Sequence, residues 1–397
     1  MITPRRRAVI VSVARTPIGS FCGAFKDVPA PELGAIAIKG ALDKTPIKPD
    51  EVDEVFMGCV LTAGLGQSPA KQAALKAGLP VSVPCTTVNK VCASGMKAVM
   101  LAATAIEIGD ADIAVAGGME NMSMVPHYLP TGRTGQKYGN VTMIDGMLYD
   151  GLTDAYSMQH MGMCAEDCAE EYRITREEQD EFAIESYSRS AKAWGKGVFE
   201  KEIVPVEIKD RKGNVMTVAE DEEYKNVKLN KIPLLRAAFK QGGTITAANA
   251  STINDGASAL VIMSEEKAAE MGIKPLAYVT SYADASQEPI KFPSTPALAA
   301  RKALSRADLD VKDVDYWELN EAFSVVGIVN TRLLDIDKNR VNVYGGGVSL
   351  GHPLGSSGAR ILVTLLTVLE RKDARYGCAA ICNGGGGASA VVVERVK

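Results

Sequence analysis

The strongest constraint on the fold of this chain is an internal repeat, in which two distant segments carry the same short motifs in the same order. Ala41-Leu42 precedes Val52-Asp53 by the spacing at which Ala303-Leu304 precedes Val314-Asp315. Self-similarity at matched spacing indicates a duplicated structural unit. We therefore expect the chain to contain two copies of one fold.

The remainder of each copy indicates what that unit contains. A strand-like run opens each copy, and the Val-Asp pair leads to a Ser-Gly that begins a helix-like run, followed by a β-rich run ending in glycines. The matched segments are Val9–Val13 with Ala277–Thr280, Ser94-Gly95 with Ser357-Gly358, and Ile113–Gly118 with Cys378–Gly387. Strands that alternate with helices predict an α/β fold, here with two largely parallel sheets.

A stretch of different character lies between the copies, with polar loops and a charged amphipathic helix at Thr175–Gly195. We predict that residues of about 124–246 form an inserted loop domain within a first half that spans residues 1–273. The second half is predicted to span residues 274–397. Insertions of this kind often cover a ligand site.

Composition excludes several classes of protein. The 397 residues are 46% hydrophobic with a net charge of −4, which is typical of a soluble globular chain with more than one core. This charge provides no basic field for nucleic acid or a membrane surface, and no apolar run approaches the ~18 residues of a spanning helix. The 8 cysteines and 3 histidines include no C-x-x-C pair, so a disulfide scaffold or structural zinc is disfavoured.

Cys92 is a candidate nucleophile because it directly precedes a helix pattern that ends at Gly109. At a helix N-terminus the dipole and the free N–H groups favour the thiolate and can hold a developing oxyanion. A buried structural cysteine is the alternative interpretation.

Three other polar residues occupy positions that suit chemistry. His352 lies among glycines before the helix of the second copy, where duplication brings it near the Cys92 loop as a candidate base. Cys382 ends a buried strand before four glycines, which either pack bare backbone against a substrate or form a tight hairpin. Asn320 follows another strand, at the sheet edge where α/β sites gather, or caps a helix.

Taken together, these segments resemble the thiolase family over essentially the whole chain. The Cys92 segment, Asn320–Phe323, Gly351-His352-Pro353 and Cys382–Gly387 match family signatures in order. The resemblance implies a duplicated five-layer α-β-α-β-α fold with an inserted loop domain. Within the family the sequence looks closest to the mitochondrial-type acetoacetyl-CoA thiolases. That likeness implies reversible Claisen condensation of two acetyl-CoA to acetoacetyl-CoA and CoA, with thiolysis as the reverse reaction and 2-methylacetoacetyl-CoA as a further candidate substrate.

The same resemblance implies a role for each candidate. Cys92 would form an acyl-thioester with the enzyme, and His352 would take its proton. His352 and a water held by Asn320 would form a first oxyanion hole, and the N–H groups of Cys92 and Gly384 a second. Cys382 would remove or return the proton on carbon, so that one thiol stores the acyl group and the other transfers a proton.

Binding residues follow from the resemblance as well. The positions that match CoA contacts and the short acyl pocket are Tyr187, Val227, Lys231, Ser251, His160 and Met161. The positions that match a potassium site, mostly through backbone oxygens, are Tyr187, Ala247, Ala248, Ala250 and Val348. Coenzyme A is then substrate and product, with no tightly bound organic cofactor. Asn226 and Lys228 depart from the Arg and Asp of vertebrate members, which affects contacts to the adenosine end of CoA.

Assembly, compartment and competing functions rest on the resemblance alone. Pro126–Gly146 matches the region of tetramer contacts, so a homotetramer is expected, in the mitochondrial matrix or alternatively the cytoplasm. A degradative 3-ketoacyl-CoA thiolase of broader chain length would share the catalytic residues. A catalytically silent CoA-binding scaffold is the alternative from another class, and the intact catalytic set disfavours it.

Overall fold

The computed structural model describes residues 6–209 and 212–397, so the remaining residues of the first predicted half, and of its insertion, lie outside the described part. The strands are β1 Ala8–Arg15, β2 Gly19–Ser20, β3 Glu54–Gly58, β4 Cys85–Val88, β5 Ile113–Asn121, β6 His127–Tyr128, β7 Ile144–Asp145, β8 Val206–Lys209, β9 Val215–Val218, β10 Asn254–Ser264, β11 Ala277–Ser286, β12 Tyr316–Leu319, β13 Tyr376–Asn383 and β14 Gly387–Arg395.

The α-helices are α1 Ala30–Leu42, α2 Pro69–Lys76, α3 Ser94–Ile108, α4 Met161–Glu171, α5 Arg176–Gly195, α6 Glu223–Asn226, α7 Glu265–Glu270, α8 Thr295–Arg306, α9 Ser324–Leu334, α10 Gly347–Leu350 and α11 Leu354–Arg371. Short 3₁₀ segments occur at Pro49–Glu51, Leu229–Leu234, Pro289–Ser294, Val311–Asp313 and Lys338–Arg340, and a π-helical turn at Leu148–Leu152.

The long strands form one continuous path in the order β12-β13-β14-β11-β1-β10-β5-β3-β4. The first copy supplies β4, β3, β5, β10 and β1, and the second supplies β12, β13, β14 and β11. A parallel bridge from Trp317 to Val341 lies where β4 pairs with β3 in the first copy. The two copies meet at a short antiparallel pairing of β1 with β11, Val9 with Tyr278 and Ile10 with Ala277.

The prediction of largely parallel sheets is wrong. Strand β10 pairs antiparallel with both β1 and β5, and β14 pairs antiparallel with both β11 and β13. Parallel pairing joins β3 to β4 and β5, and β12 to β13. The glycine-rich link from β13 to β14 is too short for the crossover that parallel neighbours need, so this pair has to be a hairpin.

Matched hydrogen bonds confirm the repeat. In the first copy the Asp53 carboxylate accepts the N–H of Asp112 at 2.8 Å and of Ile113 at 2.9 Å. In the second copy Asp315 accepts the N–H groups of Arg375 and Tyr376, where β13 begins, at the same two distances. The Val-Asp pair of the sequence motif therefore caps the start of the neighbouring strand in both copies.

The helices create five layers. Helices α1 and α2 cover the outer face of the first sheet half, and α8 covers the outer face of the second. Helices α3 and α11 contact each other and lie between the sheet halves, where one core joins α3, α11 and strands of both copies. Among the described residues only Val91–Ile108 is long and apolar enough to span a membrane, and most of it is buried in this core layer.

Candidate active site

A cleft of about 480 Å³ opens at the ends of the two central helices. Its wall combines the loops before α3 and α11, the β13–β14 turn and parts of the segment that joins β5 to β10. The sequence-predicted residues in this wall are Cys92, His160, Met161, Ala247, Ala250, Ser251, His352 and Gly384. Residues separated by almost 300 positions in the chain therefore share one cavity.

A strained turn holds Cys92 at the start of α3. Val91, the preceding residue, has φ +47°, a conformation that is rare for a β-branched side chain and costs about 1–3 kcal/mol. The turn is fixed by its own hydrogen bonds, because Val91 N–H donates to the Asn89 side chain at 3.0 Å and Lys90 N–H donates to Ser94 Oγ at 2.8 Å. Strain of this kind persists where the surroundings determine the conformation, and functional sites are the usual place.

Cys92 is a thiol, not a thiolate, in the free protein. Burial raises the pKa of Cys92 to about 12, although the backbone N–H groups of Gly384 and of Cys92 itself act in the opposite direction. The N–H groups at the helix terminus therefore favour the thiolate, as expected, but desolvation outweighs them. The two N–H groups nonetheless point at the sulfur, where an acyl oxygen on that sulfur could accept from them.

His352 is held as a neutral base. The backbone N–H of His352 donates to Asn254 Oδ1 at 2.8 Å, and the ring Nδ1 lies 2.6 Å from Ser357 Oγ. The Ser357 hydroxyl donates its one proton to the Pro353 carbonyl at 2.9 Å, so the hydrogen-bond network assigns the ring proton to Nδ1. Burial lowers the pKa of His352 to about 3. Its Nε2 has no hydrogen-bond partner within residues 6–209 and 212–397.

Cys382 and Asn320 lie behind the cleft wall rather than in it. Cys382 is fully buried at the end of β13, and burial, with a further contribution from Cys92, raises the pKa of its thiol well above the usual range. Asn320 follows β12 and is also buried, yet neither its Oδ1 nor its Nδ2 has a partner in the described part of the chain. Buried amides normally satisfy their hydrogen-bonding groups within the protein or through ordered water.

One part of the cleft wall is formed by aromatic rings, including Phe239, which the sequence did not single out. His160 caps α4, with Nδ1 accepting the Gly162 N–H at 3.0 Å, and its ring stacks on Phe239 at 4.5 Å between centroids. Phe323 meets Phe239 edge-on at 6.3 Å, and Phe292 also lines the wall. Phe323 belongs to the Asn320–Phe323 segment, whereas Phe239 lies far from it in sequence and shows no local motif.

The predicted CoA contacts are only partly brought together. Ser251 lines the cleft, whereas Tyr187 is buried beside it with Val227 packed against the same cluster. Lys231 is exposed in a 3₁₀ segment and is not among the residues of the cleft wall. Asn226 does line the cleft, and its amide donates to Ser20 Oγ at 3.2 Å.

The residues of the expected potassium site converge. Tyr187, Ala248 and Val348 share a buried cluster, and Ala247 and Ala250 lie in the adjoining cleft wall. Across the described residues, no N–H or hydroxyl group donates to the carbonyl oxygens of these alanines or of Val348. Burial, Glu223 and Glu321 together raise the pKa of Tyr187. Several free carbonyls near carboxylates are a donor set that suits a hard cation.

Comparison with known proteins defines the class. The thiolase N-terminal domain model matches residues 8–266 and the thiolase C-terminal domain model matches residues 273–395. The chain belongs to the thiolase family.

Particular relatives narrow this further. An acetyl-CoA acetyltransferase of Schizosaccharomyces pombe is 58% identical over 388 residues, which cover 98% of each chain. A mitochondrial acetyl-CoA acetyltransferase of Rattus norvegicus is 53% identical over 98% of this chain and 91% of the relative. A cytosolic acetyl-CoA acetyltransferase of Gibberella zeae is 52% identical over 98% of both chains. A thiolase of Ascaris suum, solved with coenzyme A, superposes with a TM-score of 0.94 at 46% identity, over 98% of this chain and all of that one.

Proposed function

We propose that this chain is an acetyl-CoA acetyltransferase, an acyltransferase that condenses two acetyl-CoA to acetoacetyl-CoA and CoA and catalyses thiolysis in reverse. The observation that carries the proposal is the pairing of Cys92, with two N–H groups at its sulfur, and the unpartnered Nε2 of His352 in one cleft. The relatives named acetyl-CoA acetyltransferase support the substrate assignment.

The first half-reaction follows from the protonation states. Since the Cys92 thiol has a high pKa and His352 is neutral, the proton passes from Sγ to Nε2 as the sulfur attacks the thioester carbonyl of acetyl-CoA. The new C–S bond forms, the bond to the CoA sulfur breaks, and CoA leaves as a thiolate that takes the proton of the Cys382 thiol, while His352 keeps the Cys92 proton on Nε2. The N–H groups of Cys92 and Gly384 hold the oxygen of the tetrahedral intermediate and of acetyl-Cys92.

The second half-reaction needs a carbon acid to lose a proton beside the acetyl-enzyme. The Cys382 thiolate left by the first half-reaction takes the α-proton of a second acetyl-CoA, whose enolate oxygen accepts from the protonated Nε2 of His352 and from a water on the otherwise unpartnered Asn320. The enolate carbon attacks acetyl-Cys92, the C–S bond breaks, His352 returns its proton to the Cys92 sulfur, and acetoacetyl-CoA leaves. In thiolysis Cys382 returns the proton to the enolate.

We expect the cleft to favour short acyl chains over the longer chains of a degradative thiolase. The end assigned to the acyl group is lined by the rings of Phe239, Phe292 and Phe323 and by Met161, whose Cε lies 3.7 Å from where a Cβ on Gly384 would stand. Activity on 2-methylacetoacetyl-CoA is part of the same proposal. A silent scaffold has no need of an oriented base, so the fixed His352 argues against that function.

Two variants test the division of labour between the cysteines. Cys92→Ala should abolish turnover, because no acyl-enzyme can form. Cys382→Ala should still be acetylated at Cys92 by labelled acetyl-CoA, as intact-protein mass spectrometry can show, while carbon–carbon chemistry collapses. Near-normal turnover in the first variant would refute the covalent route, and loss of acetylation in the second would refute the separate roles.

Coenzyme A and potassium are the ligands of the proposal. Tyr187, Ala247, Ala248, Ala250 and Val348 would hold the ion, which would supply fixed positive charge beside the CoA site. Ser251 in the cleft wall, together with Tyr187, Val227 and Lys231, would contact CoA. Thiolysis of acetoacetyl-CoA and thermal stability, each measured in potassium and in sodium, test the ion: both should rise in potassium, and indifference to the cation would remove this part of the proposal.

Assembly and compartment complete the proposal. A homotetramer is supported by exposed apolar side chains in the Pro126–Gly146 segment, including Tyr138, which is 94% exposed. A mitochondrial matrix location, with the cytoplasm as the alternative, matches relatives that are named for either compartment. Subcellular fractionation with an antibody distinguishes the two.

A further inference from the structure

A buried carboxylate connects the two copies beside the proposed nucleophile. Glu120, near the end of β5 in the first copy, is 0% exposed. It accepts the N–H groups of Val60 and Leu61 at 3.1 Å each, and that of Gly355 at 2.8 Å. Gly355 lies in the first turn of α11, just after His352, so the third bond crosses from one copy to the other.

Gly355 lies against three glycines of the first copy, Gly58, Gly95 and Gly118. A Cβ built on Gly118 would lie 1.9 Å from the Gly355 carbonyl oxygen, and one on Gly58 or Gly95 would lie 2.7 or 2.8 Å from it. A Cβ on Gly355 itself would lie 2.6 Å from the Met119 carbonyl oxygen. A Cβ at any of these four glycines would overlap backbone, so residues of the first copy enclose both the N–H and the C=O of Gly355.

The segment that carries His352 is also anchored at its other end. Glu321, buried in the second copy, accepts the Val348 N–H at 3.1 Å, and Asn254 accepts the His352 N–H. Glu120 and Glu321 therefore hold the two ends of the segment from Val348 to Gly355. Leu61, Leu354 and Cys92 pack in one cluster next to Glu120, so the carboxylate determines how this segment faces the nucleophile.

We infer that Glu120 is a positioning residue, which fixes His352 relative to Cys92 by binding the N–H groups of the Val60-Leu61 loop and of Gly355 at once. The inference rests on the proposed roles of Cys92 and His352. Glutamine keeps the size of the side chain but presents an NH₂ group to N–H donors, so Glu120→Gln removes at least one of the three bonds. His352 then loses its alignment with the thiol.

The direction of the change in the alkylation rate of Cys92 distinguishes a positioning role of Glu120 from an effect of its charge. Burial raises the pKa of Glu120 to about 7, so its carboxyl is charged only well above that pH. There its charge raises the pKa of the Cys92 thiol, so loss of the charge alone would speed the reaction of Cys92 with iodoacetamide. Loss of alignment with the base would slow it. A structural role unrelated to the Cys92–His352 pair would leave the pH dependence unchanged.

The experiment measures Cys92 alkylation by iodoacetamide in the full-length protein at pH 8.5 and pH 9.5, where Glu120 is charged, with peptide mass spectrometry identifying the site. Glu120→Gln should lower the ratio of the pH 8.5 rate to the pH 9.5 rate about tenfold, as His352→Ala should, because the thiolate fraction changes about tenfold per pH unit once the base no longer takes the proton. Glu166→Gln is the matched control, since Glu166 is a buried carboxylate that accepts the N–H groups of Thr244 and Ile245 at 2.9 Å. It should keep the native ratio.

Three results would overturn the inference. A ratio in Glu120→Gln that equals or exceeds the native ratio would show that alignment does not depend on Glu120, and an equal drop in Glu166→Gln would show a general structural effect. If Glu120→Gln does not fold, Glu120→Asp carries the test, because its shorter carboxylate cannot reach all three donors and should lower the ratio in the same direction. An unchanged ratio in His352→Ala would instead refute the proposed base, and the inference with it.

Discussion

Substitution by alanine should destabilise the protein at Gly386 but leave its stability nearly unchanged at Gly384, although both glycines lie in the β13–β14 turn. Gly386 has φ +85°, and a Cβ there would lie 2.2 Å from the Gln287 carbonyl oxygen. Alanine in this conformation costs about 1–2 kcal/mol, and the backbone overlap adds about 1–3 kcal/mol. Gly386→Ala should therefore lower the free energy of unfolding by about 2–5 kcal/mol.

Gly384 provides the matched control. It is not among the positive-φ glycines, and a Cβ there would lie 3.5 Å from Val91 Cγ1 and 3.7 Å from Met161 Cε, which are ordinary contacts. Gly384→Ala should change the free energy of unfolding by less than about 1 kcal/mol. Urea unfolding at one protein concentration compares the two variants. Equal stability of the two, or greater loss in Gly384→Ala, would refute this reading of the turn.

The same control also probes the acyl pocket. Alanine keeps the backbone N–H at position 384, so Gly384→Ala should still form acetyl-Cys92. The added methyl group points toward Val91 and Met161 in the cleft, so the ratio of kcat/KM for acetoacetyl-CoA to that for a longer 3-ketoacyl-CoA should rise. A fall in this ratio would contradict the assigned acyl end.

Three further outcomes follow from the site and its surroundings. The pKa of His352 is lowered to about 3 from an ordinary 6.5, so the unfolded chain gains a proton below pH 6.5 that the folded protein does not. Native stability is therefore lost as the pH falls, and His352→Asn should remove about 2 kcal/mol of that loss at pH 5. Urea titrations over a range of pH measure this, and parallel pH profiles of the variant and the native protein would contradict the lowered pKa. Ser357→Ala should lower kcat about 10–100-fold with little change in KM, because Nδ1 loses its partner, and unchanged kcat would refute the tautomer assignment. Tyr138→Asp should convert a tetramer to dimers in light scattering, and an unchanged mass would remove this segment from the interface.

Local patterns were sufficient for much of the fold. The helix predicted at Thr175–Gly195 is observed as Arg176–Gly195, and its Thr175–Glu178 capping box lies at the predicted start. The spacing of the Val-Asp pairs identified the duplication because each aspartate accepts the N–H groups at the start of the neighbouring strand. The direction of strand pairing was not predictable in this way, since β10 returns to the sheet only after the long segment that follows β5.

The sequence supplies candidate site residues but not the environment of each one. The Cys92 and His352 loops have local signatures, whereas the acidity of the thiol depends on burial by several distant segments. Asn254 lies 98 positions from His352, and Glu120 lies 235 positions from Gly355, so no window of sequence shows either contact. Lys231 illustrates the converse, because a match to a family position did not place it in the cleft wall.

The shared middle layer limits how this enzyme can move. Helices α3 and α11 bury their apolar faces against each other and against strands of both copies, and neither copy alone encloses that core. A hinge between the copies would have to expose it to water, at a cost far above thermal energy. Cys92 and His352, the proposed nucleophile and base, consequently belong to one rigid body. Acyl-CoA has to enter and leave through the loops at the mouth of the cleft while these two residues keep their positions.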